Sequence, residues 1–387
     1  MEIRLIGNYR DFKDLKPLWN SLLEGSKAKS IFMTHEWIDT WWEFYGSGNQ
    51  LMILAANDSK GQIAAIAPLM IRQRVINNLP ARSVELIGSG EEITPDHLGF
   101  IAASGVKNEF ARAVFAYLGS VSRLWDVIRL TDADEGAFIL PDMILGATLP
   151  RLNVIQALGV CPFIRLPATW EEYTAGLSGE LRYSIKRKMK TVEKQFSPRF
   201  EICGDISKID GIMEKLRELH CGRMAEKKLT GASLEANFWE FHKRIAKVML
   251  PLGRLVLGTL TINDSIVGCQ YAFQYSGAMC YYQSGIDTAY SKYSIGLLLT
   301  ALMIKEAIKM GLGEYDFLRG DESYKFHWTK EFRNNTEISM WNGTLKSQVL
   351  RGLFSAKQYA KSLVNKYLQP AGANYAAAVE AHGARRA

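Results

Sequence analysis

Apolar residues recur with helical spacing over residues 296–310, and this segment is flanked by two short apolar runs. The first run, 279–283, and the second, 314–318, have the length and aromatic content of buried strands. Gly311 and Gly313 end the predicted helix. A strand, a loop, a helix and a second strand form a crossover unit, which places the two strands side by side and parallel.

The loop before this helix carries three polar side chains, Ser291, Lys292 and Ser294. Ser294 is the predicted N-cap of the helix. Backbone N–H groups and the helix dipole at such a position attract anions. The pattern leaves two interpretations open: an anion site, or an ordinary connection with a capping serine. The sequence contains no Walker A loop and no G-x-G-x-x-G motif, which disfavours a nucleoside triphosphate or a dinucleotide as ligand.

The spacing of apolar residues also predicts helices and strands in the rest of the chain, and one order of these elements occurs twice. A hairpin, a strand, a helix and a strand are predicted over residues 51–130 and again over 255–318. We therefore expect two structurally repeated halves, although no sequence repeat is visible. Residues 161–167, held extended by two prolines, are predicted to link them. Further helices are predicted over residues 12–23, 31–44, 170–176, 179–196, 206–228, 234–249 and 345–368, and further strands over residues 1–5 and 98–101.

Residues 179–196 form the strongest amphipathic segment. Arg182, Lys186 and Lys190 follow one another at four-residue steps beside its apolar stripe. Like charges at this spacing repel each other unless an anion lies across them. Three interpretations remain open: a solvated face, a clamp for the phosphates of a coenzyme or an anionic acceptor, and an RNA-binding helix.

The second strand of the crossover unit ends in a cluster of acidic, basic and phenolic residues. Ligands of parallel sheets bind at the carboxyl ends of the strands. We predict that Asp316 binds the acceptor or acts as a general base, with its pKa raised by desolvation. The alternative is a strand-end ion pair between Asp316 and Arg319 that positions the loop. Asp96 and His97 form the only Asp-His pair of the sequence. One interpretation is that the pair holds or deprotonates an acceptor. The other is that Asp96 only caps the backbone of its own loop.

Composition narrows the range of functions. The chain has 387 residues, a net charge of +7, and five cysteines without a C-x-x-C pair. These features favour a reduced, cytoplasmic protein with an anionic partner and no zinc site. Residues 1–5 are predicted to form a strand, so we expect no signal peptide, and no apolar run approaches the roughly 20 residues of a membrane span.

Four sequence motifs resemble one family. They are G-x-D-x-x-Y-x-x-x-S-x-G-x-L-L at residues 285–299, Y-D-F-L-R-G-D-E-x-Y-K-x-x-W at 315–328, C-P-F-I-R-L-P at 161–167 and R-x-x-I-x-R at 182–187. Together they resemble the CelD-like acyltransferase domain of the GNAT superfamily, which is related to the FemAB peptidyltransferases. The resemblance spans about residues 3–343 and is more specific in the second half.

The resemblance implies a mixed α/β fold of two tandem GNAT units, as in FemAB proteins. It divides the chain into a first GNAT-like half (1–155), a second, acyltransferase half (156–343), a basic C-terminal helix (344–369) and a disordered tail (370–387). The C-terminal helix either packs on the body of the protein or lies on a membrane surface.

The resemblance also implies a set of site residues. It predicts that an acyl-CoA, with acetyl-CoA favoured, lies along one strand with its pyrophosphate at the next helix N-terminus. The donor-binding residues would be Tyr281, Tyr282, Gln283, Ser284, Gly285, Ser291, Lys292, Tyr293, Ser294 and Gly296. The catalytic candidates are Asp316, Tyr324, Arg319, Glu322 and Lys325, with Tyr324 protonating the leaving thiolate and Glu322 as a rival base. The acceptor-binding candidates are Arg182, Lys186, Asp96, His97 and Trp328; no metal is expected.

The implied reaction is direct acyl transfer to an amine or hydroxyl of a polysaccharide, lipid or small metabolite. The usual R/Q-x-x-G-x-G/A loop of GNAT proteins is missing, and residues 291–296 stand in its place. This departure keeps two alternatives open: a FemAB-type transferase that uses aminoacyl-tRNA, and a non-catalytic member that supports envelope polysaccharide synthesis. We expect the protein in the cytoplasm, either free or peripheral to the inner face of the membrane, with tRNA as a partner only under the first alternative.

Overall fold

The computed structural model describes residues 1–90, 93–103, 105–134 and 152–368. Within these residues, one mixed sheet runs through the whole molecule in the order β1-β2-β3-β4-β6-β13-β7-β12-β11-β10-β9-β8, with β5 beside β3. The strands are β1 (Ile3–Ile6), β2 (Gln50–Asn57), β3 (Ile63–Ile76), β4 (Leu79–Leu86), β5 (Ile101–Ala102), β6 (Val127–Asp134), β7 (Leu152–Arg165), β8 (Arg199–Ile202), β9 (Leu255–Ile262), β10 (Ser265–Tyr275), β11 (Ala278–Ile286), β12 (Glu314–Asp316) and β13 (Phe332–Trp341).

Helices cover both faces of this sheet. In the described residues they are α1 (Tyr9–Asp14), α2 (Lys16–Gly25), α3 (His35–Tyr45), α4 (Lys107–Ser120), α5 (Trp170–Gly176), α6 (Gly179–Gln195), α7 (Ile209–Glu226), α8 (Ala236–Met249), α9 (Ile295–Lys309) and α10 (Leu345–Leu368). The buried faces of α7 and α8 join the core of the first half. The buried faces of α6 and α9 form a separate core on the opposite face of the second half.

The two halves repeat one arrangement, as the sequence predicts. In the first half, the β2–β3 hairpin is followed by β4, α4 and β6, and β4 and β6 pair in parallel. In the second half, the β9–β10 hairpin is followed by β11, α9 and β12, and β11 and β12 also pair in parallel. The fold is thus a mixed α/β fold with two tandem units of the same topology.

The final strands of the two halves are exchanged. The strand β7, which follows β6 in the chain, pairs with β12 of the second half. The strand β13, which follows β12, pairs with β6 of the first half, and β7 and β13 pair with each other at the centre. The predicted extended conformation is thus confirmed for Cys161 to Arg165, but these residues are the end of a central strand of the sheet and not a separate linker. The domain bounds at 155/156 and 343/344 remain a prediction.

The central strand β13 does not appear among the predicted strands. Its sequence contains Asn334, Asn335, Thr336 and Glu337, a polar run that is atypical of a buried strand. The polar groups are satisfied by the opposite half: Arg129 binds Glu337 through two hydrogen bonds, and the Asn335 amide donates to a carboxylate of the first half. Burial of these groups is tolerated because the Glu337 carboxylate and the Asn335 amide nitrogen find partners.

Local signals account for the other differences. The helix predicted over residues 12–23 is two helices, α1 and α2, and Pro17 lies in the first turn of the second, where its missing N–H costs nothing. Residues Ile31–Met33 form a short 3₁₀ turn, and α3 begins after Thr34, whose hydroxyl accepts from the Trp37 N–H. The tail, residues 370–387, lies outside the described residues.

Candidate functional site

The strands β11 and β12 pair over only three residues and then separate. The last pair joins Cys280 and Asp316. Beyond it, Leu318 and Gly320 adopt positive φ values of 55° and 131°, which turn the chain away from β11. On the other side, the register with β10 shifts at Tyr282, which makes this residue a β-bulge. We name the resulting gap, between residues 281–285 and residues 317–320, the strand cleft.

Side chains, rather than a strand, bond the edge of β11 that borders the strand cleft. The Ser284 N–H donates to Oε1 of Gln283 at 3.0 Å, and the Ser284 carbonyl lies 3.2 Å from Nδ1 of His220, which donates to it from α7. At Gly285 the helix approaches so closely that a Cβ would lie 2.9 Å from the Leu216 carbonyl oxygen. His220 is not among the site residues predicted from the sequence, because a lone histidine on a helix does not indicate a functional site.

Two tyrosines line one wall of the strand cleft. The Tyr281 hydroxyl is 2.5 Å from Oγ of Ser284, and Tyr324 lies beside it. Burial raises the pKa of both phenols, so that both are protonated at neutral pH. Tyr282 differs from the prediction, because its ring packs among Trp37, Phe273 and other aromatic side chains of the core. Only the backbone of Tyr282 can therefore reach a ligand in the cleft.

The N-terminus of α9 lies at the end of this cleft. Ser294 precedes the helix in the left-handed conformation (φ 57°), and its side chain makes no capping hydrogen bond. Ser294 therefore stands at the predicted N-cap position, but its side chain does not make the capping hydrogen bond that the prediction implied. Among the described residues, the N–H groups of Ile295, Gly296 and Leu297 have no protein acceptor. Three uncapped N–H groups and the helix dipole are features to which anions bind, and we name this position the anion site.

The basic helix α6 borders this anion site. Its Lys188 donates from Nζ to the Lys292 carbonyl at 2.5 Å, and Gln195 accepts a hydrogen bond from Tyr293 at 2.8 Å. The side chains of Arg182 and Lys186 are exposed on the same helix, and Lys190 follows them. The structure thus brings the predicted loop and the predicted basic helix to one surface.

On the opposite wall, His97 of the first half contacts Asp316 of the second. Nε2 of His97 lies 3.0 Å from Oδ2 of Asp316, and the Leu318 N–H donates to Oδ1 at 2.7 Å. Burial alone would raise the pKa of Asp316, but His97 and Arg333 outweigh it and lower that pKa. The prediction of a raised pKa for Asp316 was wrong, because the sequence does not show that a histidine faces it.

His97 itself has the properties of a base. Burial lowers its pKa, but the charge and the hydrogen bond of Asp316 outweigh burial and raise it above the ordinary value of 6.5. Among the described residues, its Nδ1 is buried and has no hydrogen-bond partner. A buried imidazole with one nitrogen bound to a carboxylate and the other free can accept a proton from a substrate.

Arg319 joins the two halves below this pair. Nε of Arg319 donates to Oδ1 of Asp96 at 2.8 Å, and the backbone N–H of Arg319 donates to Oδ2 of Asp96 at 2.9 Å. The guanidinium also contacts Asp132 and the Pro95 carbonyl. Asp96 in addition accepts from the amide of Asn335. Because these bonds engage the Asp96 carboxylate and the Arg319 guanidinium, both side chains stabilise the loops, and neither is placed to bind a substrate directly.

The remaining candidates fall into two groups. Lys325 is buried; its Nζ donates to the Arg319 carbonyl at 2.6 Å and pairs with Glu322 at 3.0 Å, so the pair stabilises the loop. Trp328 is only 5% exposed and packs in the core of the second half, where its carbonyl accepts from Tyr173. The prediction of an acceptor-binding Trp328 does not fit this position.

No group of three potential metal-ligating side chains occurs among the described residues, and none of the helices described is both long and apolar enough to cross a membrane. The chemistry available at the strand cleft is therefore that of a backbone edge, an anion site, two phenols and an imidazole–carboxylate pair.

Comparison with known families agrees with this geometry. Residues 179–326 match the family described as "Acetyltransferase (GNAT) domain". The match places a GNAT acetyltransferase domain in the second half of the chain. The match covers α6, the strand cleft and the first part of the loop after β12, whereas His97, Asp96 and Trp328 lie outside it. A specifically CelD-like membership is not shown by this match. A search of curated proteins gives no match.

Solved structures show the same double-GNAT fold. FemX superposes with a TM-score of 0.62 over 90% of this chain and 100% of its own, at 11% identity. The C-terminal domain of a putative lysylphosphatidylglycerol synthetase from Agrobacterium fabrum gives 0.54 at 11% identity over 89% and 96% of the two chains. L-PGS from Bacillus licheniformis gives 0.52 at 10% identity over 87% and 96%. At such low identity these likenesses describe the fold alone.

Proposed function

We propose that this GNAT acyltransferase moves an acyl group, with acetyl favoured, from an acyl-CoA thioester to an amine or a hydroxyl. One observation carries the proposal: the strand cleft leads directly to the uncapped N-terminus of α9, with the basic helix α6 beside it. A ligand with a narrow uncharged arm and a phosphate group at its end has the shape and charge that this arrangement requires.

The donor would be held by the backbone. Its pyrophosphate would accept from the N–H groups of residues 295–297, and Lys292 would add positive charge. Its pantetheine arm would lie along residues 281–285, where it would replace the bond between Gln283 and the Ser284 N–H. The thioester carbonyl would then face the backbone at the β-bulge, where N–H donors stabilise negative charge as it develops.

Proton transfer would use the two walls of the cleft. Nδ1 of His97 would accept the proton of the attacking amine or hydroxyl, while Asp316 accepts from Nε2 and stabilises the imidazolium. The carbon–sulfur bond then breaks, and the thiolate takes a proton from Tyr324, whose phenolate would in turn recover the proton that His97 accepted. Glu322 remains a weaker candidate for the base, because its carboxylate is engaged by Lys325.

The acceptor would approach from the side of the first half, since His97 lies there. A sugar, lipid or metabolite acceptor of a polysaccharide-synthesis pathway in the cytoplasm is consistent with this geometry, and the acceptor need only present a nucleophilic nitrogen or oxygen. Direct transfer needs no covalent nucleophile on the protein, and the described residues offer no exposed cysteine at the cleft.

Calorimetry with acetyl-CoA tests the donor. We expect the wild type to bind, and Ser294→Asp to weaken binding at least about tenfold, because a carboxylate beside the N–H groups repels the pyrophosphate. Ser276→Asp is the control: Ser276 is also left-handed (φ 48°), is exposed, and lies at the other end of β11. Absence of binding to any acyl-CoA, or equal effects of both variants, would remove this proposal.

A second candidate is a FemAB-type transferase that uses aminoacyl-tRNA. Two observations favour it: the whole-chain likeness to FemX and to lysylphosphatidylglycerol synthetases, and the exposed stripe Arg182, Lys186 and Lys190. It predicts RNA binding that falls steeply with salt. Filter binding of aminoacyl-tRNA should weaken in Lys186→Glu and stay unchanged in Lys305→Glu, an exposed control on α9. Absent or salt-insensitive binding would exclude this candidate.

A further inference from the structure

The C-terminal helix α10 is anchored to the body along one side only. Leu350 is fully buried and packs with Trp341, and Phe354 packs against the same cluster. Lys346 donates from Nζ to Oδ2 of Asp126 at 2.7 Å, which fixes the first turn. These contacts fix the start of α10 against the edge of the first half.

The opposite side of α10 carries a bare apolar stripe. Leu345 is 78% exposed, Val349 is 49% exposed and Leu353 is 37% exposed, at four-residue steps on one face. At these exposed fractions, no other element in the described part of the chain covers the three side chains. Three large apolar side chains in a row are more than the scattered exposure that is ordinary for a protein surface.

Other exposed apolar side chains lie close to this helix. At the tip of the β3–β4 hairpin, Ile76 packs with the cluster that holds Phe354, and Leu79, 39% exposed, pairs with Ile76 and shares its face. Near the start of α10, the Asn342 amide donates to the Trp125 carbonyl, which places the exposed Leu124 nearby. The apolar surface thus extends beyond the helix itself.

The charge of this segment is entirely positive. Residues 338–379 contain no aspartate or glutamate, and their basic residues are Lys346, Arg351, Lys357, Lys361 and Lys366. A protein partner that covers an exposed apolar face needs no such one-sided charge. An apolar stripe beside basic residues on a helix too polar to span a bilayer matches the interface of an anionic membrane.

We propose that the exposed face of α10, with the adjoining hairpin tip, docks on the surface of a lipid bilayer that contains anionic lipids. Leu345, Val349 and Leu353 enter the boundary between headgroups and acyl chains, and the exposed Lys357, four residues further along the same face, meets the lipid phosphates. The surface lies on the first half and uses none of the residues of the strand cleft, so the proposal stands apart from the proposed acyl transfer.

Vesicle flotation of the full chain tests the proposal. The wild type should float with vesicles of phosphatidylglycerol mixed with phosphatidylcholine, and at least about fivefold less with phosphatidylcholine alone. The double variant Leu345→Glu with Val349→Glu should lose binding. Ile206→Glu is the control, because Ile206 is also an exposed apolar residue but lies away from α10. Circular dichroism confirms that each variant is folded.

A second pair of variants tests how much the basic residues of α10 contribute to vesicle binding. Lys357→Ala should weaken binding about fivefold, since each basic residue near an anionic surface contributes about 1 kcal/mol. Lys305→Ala, at an exposed position on α9, should change binding less than twofold. Raising the salt concentration should release the wild type.

Three outcomes would overturn the proposal. The first is that the wild type does not float with anionic vesicles. The second is equal binding to both kinds of vesicle. The third is that the protein is a dimer by light scattering and that the double variant converts it to a monomer without a change in flotation, because the face would then bind a second copy of the chain.

Discussion

Nε2 of His97 lies 3.0 Å from Oδ2 of Asp316, although the two residues are 219 positions apart in the chain. One comes from a loop of the first half and the other from the end of β12 in the second. Both side chains are shielded from solvent, and each shifts the pKa of the other: that of His97 upward and that of Asp316 downward. The pair exists only when both halves are folded and docked.

The first prediction concerns the pKa of His97. In the wild type it should exceed 6.5, and in Asp316→Asn it should fall below 6.5, because burial then acts without the compensating charge. NMR titration of the imidazole signals measures both values. The chain has six histidines, so His97→Gln is needed to assign the signal. An unchanged pKa in Asp316→Asn would show that the carboxylate does not act on His97.

The second prediction is the pH dependence of stability. The raised pKa of His97 contributes stability that is complete below 6.5 and is lost as pH rises through the folded-state value. The lowered pKa of Asp316 contributes stability that is present above 3.8 and is lost as pH falls through its folded-state value. The pair therefore stabilises the fold most between these limits.

Urea unfolding of Asp316→Asn measures this window. We expect a loss of about 3 kcal/mol in unfolding free energy near pH 5.5, since the variant leaves a buried charge unpaired. Near pH 9 the loss should be less than about half of that, because His97 is then neutral. Asp264→Asn, in an exposed turn, should cost almost nothing at either pH. A loss that does not vary with pH would argue against the ion pair.

The third prediction concerns Arg319. Replacing it with alanine leaves the buried carboxylates of Asp96 and Asp132 without their shared partner, and should cost about 3–5 kcal/mol in unfolding free energy. Arg165→Ala breaks an ion pair to Glu331 that is largely exposed and screened by solvent, and should therefore cost far less. Chemical denaturation compares the two, and similar losses would mean that the buried network contributes little.

The fourth prediction tests the contact between β11 and α7. Gly285→Ala would place a Cβ 2.7 Å from Cβ of Leu219 and 2.9 Å from the Leu216 carbonyl oxygen, so that the helix must move. We expect a loss of about 1–3 kcal/mol and weaker donor binding. Gly179→Ala, at the start of α6 with open space around it, should leave stability unchanged or slightly higher. Thermal unfolding of both variants checks this, and equal midpoints would contradict the close approach.

Local patterns in the sequence account for the elements of the site but not for its chemistry. Helical spacing and flanking glycines place α9 and the two parallel strands, and the charge pattern identifies α6. The central strand β13 could not be recognised, because the partners of its buried Asn335 and Glu337 side chains, Asp96 and Arg129, belong to the other half. The direction of the pKa shift of Asp316 depends on His97, which lies 219 positions away. His220 likewise contacts the Ser284 carbonyl, which is 64 positions away in the sequence.

The most direct test of this account is a crystal structure of the protein with bound coenzyme A. The account predicts the pyrophosphate within hydrogen-bond distance of the N–H groups of Gly296 and Leu297, and the thiol beside residues 281–283, on the line between Tyr324 and His97. Coenzyme A bound elsewhere on the molecule, or a strand cleft that stays closed by Gln283 at saturating coenzyme, would contradict it.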